Sequence, residues 1–195
     1  SSYYPEGTCI TGGLSKWCGA GGWRLGFFAA PKQLYELMDS LKVLASETFS
    51  TVNSPIQYAA VEAYTGNYED YKLKTTNILR SVGNYVYKNL RSNKVLINPS
   101  QGGFYLMPEF INKKYKTSSE MCLAILKETG VALLPGSSFG FKPNKMLARL
   151  SFTDFDGSVF LKGISNSNVK DEDVQNFAPN VVEGTRILSK WAQKL

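Results

Sequence analysis

The most informative absence in this 195-residue sequence is histidine, which does not occur. Its absence excludes Ser-His-Asp and Cys-His nucleophile pairs, histidine-ligated zinc, and histidine as a pH switch. No apolar run approaches the roughly 20 residues needed to cross a bilayer, so we expect no membrane span and no membrane partner. Any catalysis must therefore depend on lysine, carboxylate, tyrosine, serine or a borrowed cofactor.

Cysteine is also scarce, with only Cys9, Cys18 and Cys122. The number is odd and no pair has the C-x-x-C spacing, so neither a disulfide framework nor a metal site is indicated. Free thiols are typical of a reducing compartment, and the first residues lack the basic and apolar regions of a signal peptide. We therefore predict a cytoplasmic protein without a bound metal.

The charge is modestly positive, at +6, and hydrophobic residues make up 43% of the chain. This composition excludes a disordered charged tail. A nucleic-acid-binding surface would concentrate the lysines in one stripe, but they are scattered from Lys16 to Lys194. No nucleic-acid-binding motif accompanies them, so we expect no nucleic-acid partner and interpret the charge as a lysine excess on the surface.

Strand and helix patterns are mixed along the chain, which indicates an α/β or α+β layered fold. Helices are predicted from Pro31, where an apolar stripe follows at helical spacing, and over 54–64, 68–91, 117–130 and from about 179. Strands are predicted over 8–11, 23–30, 95–97, 104–107, 131–134 and 147–152, with that at 23–30 buried, and a loop over 163–173.

The segment from Gly12 to Gly26 carries the strongest chemical signal. Lys16 lies there in an apolar, glycine-rich setting, in which burial would favour the neutral, nucleophilic amine. Arg24 follows eight positions later with a planar guanidinium suited to a phosphate. The spacing fits neither a P-loop nor a dinucleotide-binding loop. A tight glycine-rich turn with a surface lysine remains an alternative.

Four motifs together resemble one family, the class I and II aminotransferases of fold type I that use pyridoxal 5'-phosphate. Ser15-Lys16 with Gly22-Trp23-Arg24-Leu25-Gly26 resembles their cofactor attachment site. The others follow in the family's order and spacing, and so the resemblance covers essentially the whole chain: Gly102-Gly103-Phe104-Tyr105, Leu134-Pro135-Gly136-Ser137-Ser138-Phe139-Gly140 and Ala148-Arg149-Leu150-Ser151-Phe152.

The resemblance implies both a fold and a set of roles. Residues 1–75 would form the end of a large cofactor domain, 68–92 an interdomain helix, and 93–195 an α+β small domain. Lys16 would be the catalytic residue and hold the cofactor as a Schiff base, with Arg24 and Ser15 binding its phosphate. Arg149 would bind the α-carboxylate of the substrate. The activity implied is transamination between an amino acid and a 2-oxo acid in a homodimer.

Two positions depart from the family pattern, and a larger set of residues is missing. Gly13 replaces a serine that helps to bind the phosphate, leaving that contact to Thr11 or Ser15. Thr48 stands where some aspartate aminotransferases carry an arginine for a distal carboxylate. Several cofactor contacts precede the lysine in the family, so we expect this chain to be the C-terminal part of such an enzyme, inactive alone.

Several alternatives remain open on the sequence. The chain is also compatible with another fold-type I activity, such as that of a lyase or a synthase, or with a non-catalytic interaction remnant. Arg149 has a structural alternative as the partner of an ion pair. Tyr105 and Phe139 are either core aromatics or walls of a pocket, and Cys18 is interpreted as a small packing residue.

Overall fold

The computed structural model describes residues 2–164 and 168–195. The chain divides into two compact units, Ser1–Tyr68 and Glu69–Leu195. Each unit is described by itself below. No helix within the described residues is both long enough and apolar enough to cross a membrane.

The first unit contains two strands and two helices. Strand β1 (Ile10–Gly13) pairs antiparallel with β2 (Gly26–Ala29), so that Gly13 lies opposite Gly26. Helices α1 (Tyr35–Thr48) and α2 (Ser54–Thr65) follow. The predicted helix after Pro31 begins with a short 3-10 turn, because Pro31 itself is extended and lies before the first helical residue.

The expected burial of the strand at 23–30 is wrong for this chain. Every residue of β2 is exposed, and Trp23 and Phe27 are 62% and 41% exposed. Helix α1 also buries no residue, and the small core of this unit consists of Leu14, Leu25 and Ala60. The reason is that a two-stranded sheet has too little surface to form a core, and a contact such as that of Phe27 with Tyr64 of α2 covers it only in part.

The second unit begins with the long predicted helix, α3 (Glu69–Leu90), and contains the larger core. The helical pattern over 68–91 predicts a buried side at Tyr71, Ile78, Val82, Tyr85 and Leu90, and all of these are buried except Tyr71, which is half-buried. The remaining elements of this unit are β3 (Val95–Leu96), β4 (Tyr105–Leu106), β5 (Glu109–Phe110), α4 (Ser118–Thr129), β6 (Leu134–Pro135), β7 (Ala148–Ser151), α5 (Gly157–Gly163), α6 (Asp171–Phe177) and α7 (Pro179–Ala192).

The strands of the second unit form two small antiparallel sheets. One has the order β4-β7-β6, with β7 in the centre, and the other pairs β3 with β5. Tyr105 lies opposite Ser151 and Leu134 lies opposite Arg149. This register places Arg149 on the central strand, with a strand on either side.

The start of α4 expected at Thr117 is capped by side chains, although the second bond of a capping box is displaced from the Thr117 N–H to that of Lys116. The Glu120 backbone N–H donates to Thr117 Oγ1 over 3.1 Å, and the Lys116 N–H donates to a Glu120 carboxylate oxygen over 2.9 Å. Gly130 ends the helix with a φ of 75°, which glycine adopts at little cost. These bonds satisfy donors that the helix start leaves without partners.

The loop predicted over 163–173 is only partly correct. Helix α5 extends to Gly163 and α6 starts at Asp171, while residues 165–167 lie outside the described part of the chain. The start of α6 is stabilised because Asp173 accepts a hydrogen bond from the Lys170 N–H over 2.8 Å. Three acidic residues in the first turn also interact favourably with the helix dipole.

We predict that Gly136→Ala destabilises the second unit. A Cβ atom at Gly136 would lie 2.8 Å from the Leu147 Cβ and 3.0 Å from the Leu147 carbonyl oxygen, so the backbones must separate. We expect a loss of about 1–3 kcal/mol in the free energy of unfolding, the range for overpacking, measured by urea denaturation. Gly157→Ala is the control, since its Cβ meets nothing within 4 Å. Equal stability of the two variants would contradict this prediction.

Candidate active site

The connection between β1 and β2 carries Lys16, Ser15 and Arg24, and it is anchored where it leaves the two strands. The Leu14 N–H donates to the Leu25 carbonyl over 3.3 Å, and the Ala20 N–H donates to the Leu14 carbonyl over 3.1 Å. Leu14 and Leu25 are both buried in the small core of this unit. The connection is therefore folded back on itself and held at both ends.

The side chain of Lys16 is exposed in this chain, so the burial expected from the sequence is not present. Its neighbour Trp17, by contrast, packs against the rings of Tyr64 and Tyr68. The backbone of the connection is nevertheless fixed, because the Lys16 carbonyl accepts a hydrogen bond from the Gly19 N–H over 3.3 Å. Gly19 has a φ of 66°, a conformation that favours glycine. The turn thus presents the amine of Lys16 at the surface of the first unit.

Arg24 has an unusual backbone conformation for a residue with a side chain. Its φ of 55° and ψ of 45° lie in the left-handed region, which costs roughly 1–2 kcal/mol for a non-glycine residue. Its side chain curls back and donates from Nη1 to the Gly21 carbonyl over 2.9 Å. Strain of this kind is concentrated at functional sites, and it gives Arg24 a defined, exposed position.

The glycine that replaces the family's serine has a structural explanation. A Cβ atom at Gly13 would lie 3.0 Å from the Leu25 carbonyl oxygen and 3.4 Å from the Gly26 Cα, because β1 and β2 approach closely here. A serine side chain would therefore push the strands apart. Ser15 is half-buried at the start of the connection and remains the nearby hydroxyl closest in sequence to Lys16.

Arg149 lies in the second unit, half-buried on β7. Its guanidinium carbon is 4.4 Å from the ring centroid of Tyr105 and 4.4 Å from that of Phe139. Within residues 2–164 and 168–195 it has no carboxylate in ion-pair range. The ion-pair alternative for Arg149 is thus not supported. The two rings contact Arg149 rather than filling the core, a role that the sequence pattern did not predict.

The other residues singled out in the sequence have local partners. Thr48 Oγ1 donates to the Leu44 carbonyl over 2.7 Å, so this hydroxyl is already bonded within its helix. Cys18 Sγ donates to the Leu14 carbonyl over 2.9 Å, which supports its interpretation as a packing residue. Burial raises the pKa of the Cys122 thiol to about 11. No group of residues in the described ranges has the composition of a metal site.

The donor set on the connection between β1 and β2 fits pyridoxal 5'-phosphate. The exposed primary amine of Lys16 has the chemistry that an aldehyde requires. The guanidinium of Arg24, which carries a permanent charge and in-plane N–H donors, suits the phosphate, and the Ser15 hydroxyl adds a donor. Lys16, Ser15 and Arg24 all lie in the first unit, whereas Arg149 lies in the second.

Comparison with known proteins gives a consistent result. The family described as aminotransferase class I and II matches residues 2–156. The aspartate aminotransferase of Geobacillus stearothermophilus is 34% identical over 153 residues, covering 75% of this chain and 38% of that protein. The asparagine–oxo-acid transaminase of Streptococcus mutans is 31% identical over 153 residues, covering 72% of this chain and 36% of that protein.

Solved structures agree with the sequence comparison. The alanine aminotransferase of Pyrococcus furiosus has a TM-score of 0.71 at 25% identity, covering 96% of this chain and 42% of that one. The aromatic aminotransferase of Pyrococcus horikoshii has a TM-score of 0.69 at 25% identity, covering 97% and 44%. The chain thus spans less than half the length of these relatives. Its mixed α/β architecture is that of fold type I, and the chain belongs to the class I and II aminotransferase family.

Proposed function

We propose that this chain supplies the C-terminal part of an aminotransferase that uses pyridoxal 5'-phosphate to exchange an amino group between an amino acid and a 2-oxo acid. The observation that carries the proposal is the exposed amine of Lys16 on a connection anchored at both ends. Arg24, exposed and with a strained backbone on the same connection, adds a group for the phosphate.

Residues of this chain would bind the cofactor at one place and orient the substrate at another. Lys16 Nζ would bind the cofactor covalently, while Arg24 and Ser15 would bind its phosphate. When bound, the pyridine ring accepts the electron pair of the bond that breaks at the substrate Cα. Arg149 would hold the α-carboxylate bidentately, which fixes the bond to be broken.

Lys16 would also have a second role, in proton transfer. Its neutral amine would take the proton from the substrate Cα and deliver it to the cofactor carbon, which would make Lys16 the general base and then the general acid. No histidine exists in the sequence to do this work. A mobile primary amine is sufficient for it, provided that the substrate is held within reach.

We also propose the domain assignment implied by the family. Residues 1–75 would belong to the large domain, 68–92 to an interdomain helix and 93–195 to the small domain, with the enzyme a homodimer. The three free cysteines favour a cytoplasmic location. The Thr48 hydroxyl is already hydrogen-bonded within its helix and carries no positive charge with which to bind a distal carboxylate. The names of the relatives differ in the amino donor that they give, aspartate in one and asparagine in the other.

Covalent trapping of the cofactor tests the proposal. The enzyme carrying this chain is incubated with pyridoxal 5'-phosphate, reduced with borohydride, digested and examined by mass spectrometry, with a mock-reduced sample as control. We expect the phosphopyridoxyl group on Lys16, together with amino transfer from one or more amino acids to a panel of 2-oxo acids. Labelling elsewhere would contradict the assignment of Lys16. Labelling of Lys16 with elimination or acyl transfer instead of amino transfer would favour a lyase or synthase.

A further inference from the structure

The setting of the Arg149 guanidinium is unusual because two aromatic rings lie against it. Its central carbon is 4.4 Å from the centroid of Tyr105 and 4.4 Å from that of Phe139. Both distances lie well within the roughly 6 Å range of a cation–π interaction. The N–H donors of a guanidinium point outward in its own plane, so a ligand that hydrogen-bonds to Arg149 approaches in that plane.

The Tyr105 ring is held in place by its own strand. Tyr105 lies on β4, opposite Ser151 of β7, and the strands pair antiparallel. Its ring centroid is 4.4 Å from that of Phe104, which packs against the main core of the unit. Tyr105 is therefore a fixed wall on one face of Arg149.

The Phe139 ring is held by a separate device, the 3-10 turn Gly136–Phe139. The Gly136 N–H donates to the Leu147 carbonyl over 2.8 Å, which ties the turn to the segment that leads into β7. The Ser137 N–H donates over 3.4 Å to the hydroxyl of Ser118, a residue fully buried at the start of α4. Gly140, with a φ of 84°, ends the turn.

Two rings restrict the guanidinium but do not neutralise it. A ring attracts a cation through its quadrupole, and it supplies no negative charge and no hydrogen-bond acceptor in the guanidinium plane. A carboxylate supplies both, because its two oxygens match two parallel N–H donors of arginine. The rings thus hold the planar, charged Arg149 guanidinium ready to bind a planar anion such as a carboxylate.

We propose that Tyr105 and Phe139 are positioning residues that clamp Arg149 and thereby set the preference of the enzyme for substrates with an α-carboxylate. This inference rests on the proposed function, which gives Arg149 the carboxylate as its ligand. Neither ring needs to touch the reacting atoms. Their effect is to reduce the number of orientations that the guanidinium samples before the substrate arrives.

Substrate discrimination tests the clamp. In the enzyme carrying this chain, kcat/KM is measured for an amino acid and for the amine that lacks its carboxylate, in the wild type, Phe139→Leu and Tyr105→Leu. We expect the ratio of the two values to fall about three- to thirty-fold per ring, through KM for the amino acid, while turnover of the amine is unchanged. Phe139→Tyr and Tyr105→Phe, which keep the rings, should restore the ratio.

The matched control is Phe141→Leu, which removes an aromatic ring of similar exposure two residues beyond Phe139. Phe139 is 40% exposed and Phe141 is 42% exposed, so neither substitution empties the core. An unchanged ratio in both ring variants, or an equal fall in the Phe141 variant, would overturn the inference. A loss of turnover that affects acid and amine alike would overturn it too, since that is the mark of a structural role.

A binding experiment separates this inference from the proposed function. The Arg149 Nε–H resonance, assigned with Arg149→Lys, is followed by NMR during titration with pyruvate. We expect ring-current shifts and pyruvate binding in the wild type, and a three- to thirty-fold weaker affinity in Phe139→Leu. If the enzyme fails to transfer amino groups but these shifts and affinities hold, the proposed function fails and the clamp stands. If amino transfer occurs but Phe139→Leu changes neither the ring-current shifts nor the pyruvate affinity, the clamp is wrong.

Discussion

Replacing Lys16 by alanine is expected to lower kcat by at least about 10²–10⁴-fold in the enzyme carrying this chain, the range supplied by a positioned general acid or base. The reason is that we propose two roles for Lys16, holding the cofactor and moving the Cα proton, and this chain contains no histidine. Steady-state kinetics with a saturating amino donor and 2-oxo acid measure the effect. Visible absorbance of the dialysed protein reports whether the cofactor stays bound.

A matched control for this prediction is Lys32→Ala, which removes another exposed lysine from the first unit. Lys32 lies at the start of the short 3-10 turn Lys32–Leu34, outside the connection between β1 and β2. We expect Lys32→Ala to retain the wild-type kcat and the bound cofactor. Turnover by Lys16→Ala at a rate near that of the control would contradict the assignment of the catalytic lysine.

The second large effect is expected at Arg149, where Arg149→Lys should lower kcat/KM for amino acids by roughly 10²–10³-fold. Lysine keeps the charge, but it lacks the planar fork that we propose to bind the carboxylate bidentately and that lies against the rings of Tyr105 and Phe139. Loss of this geometry costs about 3–4 kcal/mol, if hydrogen bonds to charged groups contribute about 1.5–3 kcal/mol each. Initial rates over a range of amino acid concentrations measure the change.

The control for Arg149 is Arg80→Lys, because Arg80 is an exposed arginine of α3 whose guanidinium bonds to Asn77. We expect its kcat/KM to equal that of the wild type. For an amine that lacks the carboxylate, the kcat/KM of Arg149→Lys should also equal that of the wild type. Such an amine has no carboxylate to contact residue 149 in either protein. An equal fall for acid and amine would assign Arg149 a structural role instead.

Much of the secondary structure was predictable because it depends on local signals. The helix α4 begins after Thr117 and ends before Gly130, as its N-cap threonine and its terminal glycine indicate. The apolar side expected for α3 is buried at Ile78, Val82, Tyr85 and Leu90, while Tyr71 is only half-buried. The strand β5 and the helix α6 were not predicted, because two residues are too few to show a periodic pattern and α6 begins inside the polar segment interpreted as a loop.

Burial around Lys16 was not predictable from the sequence. The apolar residues between Trp23 and Ala30 indicate a buried strand, yet every residue of β2 is exposed in this chain. Apolar composition shows that a segment needs to be covered, and it does not show what covers it. For the same reason the expected burial of Lys16 was wrong, although its place on a glycine-rich turn between two strands was correct.

The sequence by itself determined the family-like order of the motifs and indicated the residues that we propose for amine, phosphate and carboxylate chemistry: Lys16, Arg24 and Arg149. These follow from residue identity and spacing along the chain. The tertiary structure alone decided how two of them are presented. The left-handed backbone of Arg24 and the two rings around Arg149 depend on contacts with Gly21, Tyr105 and Phe139. The Arg149 contacts join residues distant in sequence, and only the pairing of β4 with β7 and the turn at Gly136 bring those residues together.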